Sequence, residues 1–540
     1  MDVTQDDQLL RPQLHPVFST LKEEMWNKFL QKDLEGAARL AARILQESGA
    51  HDAIHVAGLA LTGLKRYDEG FDWCCASLSL AKPSAEWYMN AAIAFMHEKD
   101  YVHAMVFIEN GLKDYPDDKR MNYTRGLCMC HAQNWTAGIT FLDDTLRIDP
   151  EFYHAKMSKG FCMHMLGRYD EAIALYDEIV DVAEPHDREE IVNNKACVLL
   201  DMGLQDEALN LLDTACAGST RPGTQYNRSF LLLGKGVWPE AWDLYRNRSV
   251  VQVDGDQGLP IVDQITAKTL DDVRDKHLFL FHEQGLGDSL MFLRYAKMLR
   301  PLVSELTIGV PKSLDRLAKT MDLGGYYTVV SDGKENAAHL AKCDVALPML
   351  DCPAVFRSTV DNVPNEVPYF HVPDKKLELF SDDRLRVGLC WAGASRPENI
   401  RAHAIDKRRS VGFELMAPIL AMSDRFNFVS LQMEDHHIDD QRLYQPIKND
   451  WDCLDTCTLI KQLDLVITID SSVVHMAASI GAPTWMLSRH DQCWRWLWDG
   501  RTDSIWYPSL RIYQQPGRDT WPEVIEWVAG DLLLWSRSGL

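Results

Sequence analysis

A small residue recurs along the first half of the chain at an almost constant interval. It follows a short polar or aromatic turn in KRYDEG, EKDYVHA, AQNWTAG, LGRYDEA, MGLQDEA and GVWPEA. The anchors are Ala37, Gly70, Ala104, Gly138, Ala172, Ala208 and Ala241, separated by 33, 34, 34, 34, 36 and 33 residues. A period of this length is that of a helical hairpin, which cannot bury its apolar face alone and stacks on its neighbours into a solenoid. Twelve residues before most anchors stands a second small residue (Gly58, Ala92, Gly126, Gly160, Ala196), so the two helices of each hairpin can approach closely. Aromatic groups at Tyr67, Tyr101, Trp135, Tyr169 and Trp238 are expected to fill the turns between helices. Pro83, Pro116, Pro150 and Pro185 are expected to end each second helix, because proline cannot continue the hydrogen-bond ladder.

This pattern resembles the tetratricopeptide repeat family over residues 18–250, after an N-terminal tail of residues 1–17. The first unit matches least well and the last lacks its closing proline. The resemblance implies an α solenoid whose concave face docks an extended peptide or another protein. The other reading is an array that joins two copies of the chain or shields its C-terminal half.

Residues 251–275 (VQVDGDQGLPIVDQITAKTLDDVRD) carry Gly and Pro without periodicity and are read as a linker. Asp254 and Asp256 in it are read as linker polarity, not as holders of a metal-bound diphosphate. Beyond it the pattern changes to alternating strands and helices. HLFLF (277–281), ELTIGV (305–310), YTVV (327–330) and CDVALP (343–348) are expected strands of a first α/β lobe, residues 276–378. VGLCWA, FNFVSLQ, DLVITID and TWMLS are expected strands of a second, residues 379–540, with helices at FELMAPILAM, LDTCTLIKQL and SVVHMAASI. Apolar strands alternating with helices predict parallel sheets covered on both faces.

A formal net charge of −23 works against phosphate-backbone binding, so DNA and RNA are excluded as partners. The start MDVTQDDQLL is acidic, and no run of about 18 apolar residues is available to span a bilayer, so a cytoplasmic location is expected. The 13 cysteines lack the paired short spacings of a zinc site and are read as reduced core residues. EDHHIDD (434–440) is read as a surface loop, and no metal is expected.

Two places can carry chemistry. In HEQGLGD, after the first strand, Gly285 and Gly287 allow a tight turn and a close backbone approach, and Asp288 opens a helix. Asp288 is equally suited to cap that helix or to act on a ligand. In DLVITIDSSVVHMAASIGAPTWML a buried strand ends at Asp470, and Ser471 and Ser472 begin a helix. The amides of Ser471, Ser472 and Val473, with two hydroxyls and the helix dipole, suit a diphosphate. Ser471 is also a plain cap, and His475 a plain core histidine. Lys407 and Arg409 in DKRRS offer cations, and Trp391 an aromatic face that also suits a core.

HEQGLGDSLMFLRY, GLCWAG, the segment around DSSVVHMAASIGAP and WYPSLRIYQQ together resemble the heptosyltransferase-like glycosyltransferases of GT-B fold that are fused to tetratricopeptide repeats. The resemblance implies two Rossmann-like lobes, an N-terminal acceptor lobe and a C-terminal nucleotide-sugar lobe. It implies Asp288 as the base that deprotonates the acceptor hydroxyl and Asp470 at the donor sugar. Ser471, Ser472 and His475 fall on the diphosphate side, with Gly285, Gly287, Trp391, Lys407 and Arg409 completing the donor-binding set. The basic stretch departs most from the family pattern, because ASRPENIRAHAIDKRRS has its own sequence. The expected activity is inverting, metal-independent sugar transfer from a nucleotide-sugar to a hydroxyl, preferably a Ser or Thr of a protein held by the repeats. A glycan- or lipid-directed enzyme and a non-catalytic repeat scaffold are the competing readings.

Overall fold

The computed structural model describes residues 24–25, 27–29, 31–48, 51–80, 84–248, 266–331, 339–394, 396, 400–433 and 438–536. The expected tail at residues 1–17, Asp254 and Asp256 of the linker, and residues 434–437 of the EDHHIDD run lie outside the described residues. The chain divides into two compact units, Met1–Val198 and Leu199–Leu540.

The first unit is a helical-repeat solenoid. Hairpins form from His51–Gly63 with Tyr67–Leu80, Ala85–His97 with Tyr101–Asp114, Lys119–His131 with Trp135–Ile148, and Tyr153–Met165 with Tyr169–Ile179. The small residues sit where the helices cross. A Cβ built on Gly58 would lie 2.6 Å from Cys74 Sγ, and one on Gly70 would lie 3.0 Å from the Gly58 carbonyl, so neither side can take a side chain. Each hairpin turns through a left-handed residue, at Lys65, Lys99, Gln133 and Gly167, with φ of 62°, 62°, 59° and 76°. At Lys99 the turn is closed by Lys99 N–H donating to Met96 O and Asp100 N–H to Phe95 O, which satisfies carbonyls left over at a helix end. The Asp100 side chain then accepts from His103 N–H and caps the next helix.

Two details differ from the sequence expectation. The aromatic rings reach the following hairpin: Tyr101 stacks on His131 at 5.2 Å, and Trp135 meets Phe161 edge-on at 5.9 Å. Pro116 and Pro150 follow helix ends, but Pro185 opens the helix Pro185–Asp201, where its missing N–H costs no bond. Pro83 lies outside the described residues.

The second unit holds two wholly parallel sheets. The first has β1 (His277–Phe281), β2 (Glu305–Val310), β3 (Thr328–Ser331) and β4 (Val345–Pro348) in the order β3-β2-β1-β4. The second has β5 (Leu385–Cys390), β6 (Phe426–Ser430), β7 (Leu443–Tyr444), β8 (Leu465–Ile469), β9 (Thr484–Ser488) and β10 (Leu510–Gln514) in the order β10-β9-β8-β5-β6-β7. Central strands such as LVITI and FNFVS are buried at every position, as expected for a sheet covered on both faces. The basic stretch ASRPENIRAHAIDKRRS contains the helix Ile400–Arg409, which carries Lys407 and Arg409.

The helices Gln205–Ala215, Pro222–Gly234 and Trp238–Tyr245 belong to this second unit. Trp238 and Trp242 are buried in its core: Trp238 stacks on Trp506 at 5.2 Å and Trp242 meets Trp494 edge-on at 5.4 Å. Trp498 N–H donates to the Gly234 carbonyl at 2.8 Å. The last helical hairpin is thus one hydrophobic core with the α/β sheets. Among the described residues no helix is long and apolar enough to cross a membrane.

Candidate functional site

The loop after β1 is fixed from both sides before it reaches Asp288. His282 N–H donates to Gly309 O at 3.0 Å, continuing the sheet by one residue. Glu283 is then gripped by Arg248, which is 1% exposed and also meets Asp351 at 2.7 Å. Burial pushes the Glu283 carboxyl above its usual range, with the Arg248 guanidinium opposing that shift and the Asp351 and Asp288 charges adding to it. Gln284 takes a left-handed φ of 60° and accepts from Tyr245 O–H at 3.3 Å.

Gly285 is the N-cap of the helix Leu286–Phe292. Asp288 Oδ2 accepts from the Gly285 N–H at 3.1 Å, the capping role that an acidic residue at this position takes. Its other oxygen, Oδ1, is ion-paired with Arg495. Asp288 therefore has both oxygens engaged. Gly287 brings this helix against the helix Ser472–Ser479, since a Cβ there would lie 2.9 Å from His475 Cδ2 and 3.8 Å from Ser472 Cα.

β8 delivers the other half. It ends at Ile469; Asp470 follows, and Ser471 is the N-cap of Ser472–Ser479, its Oγ accepting from Val473 N–H at 3.3 Å. The Val473 amide is thereby taken by the cap. Arg409 donates to the Asp470 carbonyl at 2.8 Å and pairs with Asp406 at 2.6 Å. Its Nε is buried with no partner among the described residues.

His475 is 4% exposed. Its Nδ1 lies 3.0 Å from Tyr507 Oη and its ring stacks on Trp496 at 5.6 Å. Burial, reinforced by the charges of Arg495, Arg294 and Arg409, holds its pKa well below the ordinary histidine value, so at neutral pH it is a neutral hydrogen-bonding ring. Behind it lies Arg294, which donates to the carbonyls of Met291, Pro364 and Trp506 at 2.8, 2.8 and 2.6 Å. Tyr369 O–H donates to Leu290 O at 2.9 Å and stands 3.4 Å from Tyr507 Oη. This buried chain of groups ties the two sheets together beneath Gly287.

The structure thus brings Gly285, Gly287, Asp288, Ser471, Ser472 and His475 into one neighbourhood, with Arg409 holding Asp470 beside it. Lys407 and Trp391 stand apart. Lys407 is exposed, about 200° around its helix from Arg409 at 100° per residue, so the two cations do not converge. The Trp391 ring packs on Phe413 at 4.9 Å in a residue 4% exposed, whose backbone N–H donates to Gln432 Oε1; of the two roles weighed for it, the core is the one it occupies. Arg495, Arg294, Glu283 and Tyr507 are site residues that sequence reasoning missed. Arg495 stands in DQCWRWLWDG, and 207 residues separate it from Asp288. Among the described residues no group of three or more His, Cys, Asp or Glu is placed to hold a metal ion.

No family model matches the chain. Protein FlbA of Caulobacter vibrioides is 24% identical over 396 residues, covering 66% of this chain and 63% of that protein. The chain thus spans less than two thirds of the length of the curated relative it matches. Among solved structures, a tetratricopeptide repeat protein from Parabacteroides merdae is 16% identical and covers 45% of this chain and 95% of its own, with a TM-score of 0.37. YrrB, a TPR protein with an unusual peptide-binding site, is 16% identical over 35% of this chain and 98% of its own, with a TM-score of 0.28. PilF of Pseudomonas aeruginosa is 14% identical over 37% and 91%, with a TM-score of 0.30. At these scores the likenesses carry no argument about this chain, whose solenoid is established by its own helix pairs.

Proposed function

We propose that the chain is a glycosyltransferase of GT-B type, in which the two parallel sheets are the two lobes and a nucleotide-sugar binds between the ends of β1 and β8. The observation that carries this reading is the meeting of the Asp288 loop with the first turn of Ser472–Ser479 through Gly287. Both elements leave the C-terminal ends of parallel strands, where ligands of such sheets bind.

In this reading the acceptor hydroxyl attacks the anomeric carbon from the Asp288 side and the diphosphate leaves on the other, so configuration inverts. A positioned carboxylate accepting the hydroxyl proton contributes about 10²- to 10⁴-fold. The Ser471 and Ser472 hydroxyls and helix-start dipole, with Arg409 nearby, stabilise the departing nucleoside diphosphate without a metal. Asp470, whose carboxylate has no hydrogen bond or ion pair among the described residues, contacts the donor sugar. His475, neutral and buried, supports Gly287. The solenoid of residues 34–198 presents the acceptor, a protein Ser or Thr, which is the use the helical-repeat architecture favours over a soluble glycan.

The test compares cells expressing the full chain as wild type or Asp288→Asn, with Ser- and Thr-linked glycopeptides read by mass spectrometry. Sugar adducts present with wild type and lost with the variant support the reading. Identical glycopeptides reject it, and adducts confined to glycans or lipids reject the protein acceptor.

A further inference from the structure

We infer that Arg495 is a ligand of the donor diphosphate that Asp288 holds in reserve, and that donor binding exchanges its partner. The inference rests on the transferase reading of this site. Three observations lead to it.

First, both Asp288 oxygens are already engaged: Oδ2 accepts from Gly285 N–H and Oδ1 faces the Arg495 guanidinium. The two oxygens are held by different groups. If Arg495 leaves, Oδ2 stays on the Gly285 amide and keeps the carboxylate in place, while Oδ1 gains a free lone pair.

Second, Arg495 is built to move. Its backbone is fixed, since its carbonyl accepts from Trp506 Nε1 at 2.9 Å and its neighbours Trp494 and Trp496 are 4% and 1% exposed. Its side chain has weaker ties: apart from Asp288 it contacts Cys493 Sγ at 3.1 Å and lies over the Trp494 ring at 4.4 Å. A long side chain on a fixed stem changes partner through its own torsions.

Third, the pair lies beside the helix start at which the diphosphate is proposed to bind, within reach of a long side chain. Asp288 follows Gly287, which touches His475 and Ser472. The Trp496 indole N–H, whose ring stacks on His475, is buried without an acceptor among the described residues. A guanidinium fork matches phosphate oxygens bidentately, and a diphosphate offers more negative charge than the single carboxylate it displaces.

The exchange couples the donor to the base. The acceptor O–H proton passes to Asp288 Oδ1, the acceptor oxygen bonds to the anomeric carbon, and the bond from that carbon to the diphosphate oxygen breaks, its electron pair leaving with the nucleoside diphosphate beside Arg495. Without donor, Asp288 stays paired.

The experiment is calorimetric titration of the full chain with ADP, CDP, GDP and UDP, and with the parent nucleoside of whichever binds. Arg495→Gln is expected to weaken the diphosphate about tenfold to a hundredfold, the scale of hydrogen bonds to a charged group, and to leave the nucleoside unchanged. Asp288→Asn is expected to tighten the diphosphate by freeing Arg495, and this gain is expected to vanish in the Arg495→Gln background. Simple repulsion between Asp288 and the ligand keeps the gain in both backgrounds, and that result overturns the exchange. Diphosphate affinity equal to wild type in Arg495→Gln also overturns it. Should that variant not fold, Arg495→Lys carries the test, with wild-type affinity again overturning it. In all of these outcomes the wild type binds a diphosphate and the transferase reading stands; a wild type that binds none of the four removes that reading and this inference together.

Discussion

Adding one methyl group at Gly287 tests the contact on which the site depends. A Cβ there would lie 2.9 Å from His475 Cδ2, against 3.4–4 Å for ordinary contact, so the ring or the loop must retreat by 0.5 Å or more. The ring has little room, being 4% exposed, stacked on Trp496 and bonded to Tyr507. Gly287→Ala therefore falls in the range of core overpacking, a loss of about 1–3 kcal/mol. It should appear as a lower urea midpoint with an unchanged slope. If the loop moves instead, Asp288 shifts by a fraction of an ångström, and turnover falls by up to about 10²-fold, the cost of misplacing reacting groups by about 1 Å. Trimming the obstacle with His475→Ala should remove much of the alanine's cost, so the double variant is more stable than the sum of the two single losses predicts. An unchanged midpoint in Gly287→Ala, or purely additive losses, would refute the close approach.

Gly167 has a φ of +76° and open space around a built Cβ, so Gly167→Ala should cost about 1–2 kcal/mol from the backbone alone, whereas Lys99→Gly at φ 62° should cost nothing or gain; chemical denaturation separates the two. Trp238, fully buried, stacked on Trp506 and donating from Nε1 to Leu233 O at 3.0 Å, should lose about 3–5 kcal/mol as Trp238→Ala, read by the same assay. His475 has a folded pKa below its unfolded value near 6.5, so as pH falls through 6.5 the unfolded chain takes a proton that the folded one refuses and stability is lost. Between pH 7.5 and 5.5 wild type should lose about 1 kcal/mol more than His475→Gln; equal losses would refute the buried neutral ring.

How much the sequence disclosed depends on the range of each interaction. The hairpins were legible because their determinants lie within one period, as at Gly58 and Gly70, and are repeated. The parallel strands were legible because burial on both faces leaves continuous apolar runs such as LVITI. The loop glycines and the start at Ser471 were legible because turn and cap chemistry is local. Arg495 and Arg294 were not, since nothing near either residue records a partner that the fold supplies from far along the chain. The repeat spacing places Trp238 at a turn, and only the fold reveals that its hairpin shares a core with Trp506. Lys407 and Arg409 looked equivalent until the helix Ile400–Arg409 turned them to opposite sides.

Release of nucleoside diphosphate tests whether Asp288 is the base of a nucleotide-sugar transferase. The full chain is incubated with a panel of uridine, guanosine, adenosine and cytidine diphosphate sugars, with water or added protein as acceptor. At least one donor is expected to release its diphosphate, and Asp288→Asn is expected to bind this donor but to release the diphosphate at least about 10²-fold more slowly. Release at the wild-type rate by the variant, or none from any donor bound by wild type, would contradict this assignment.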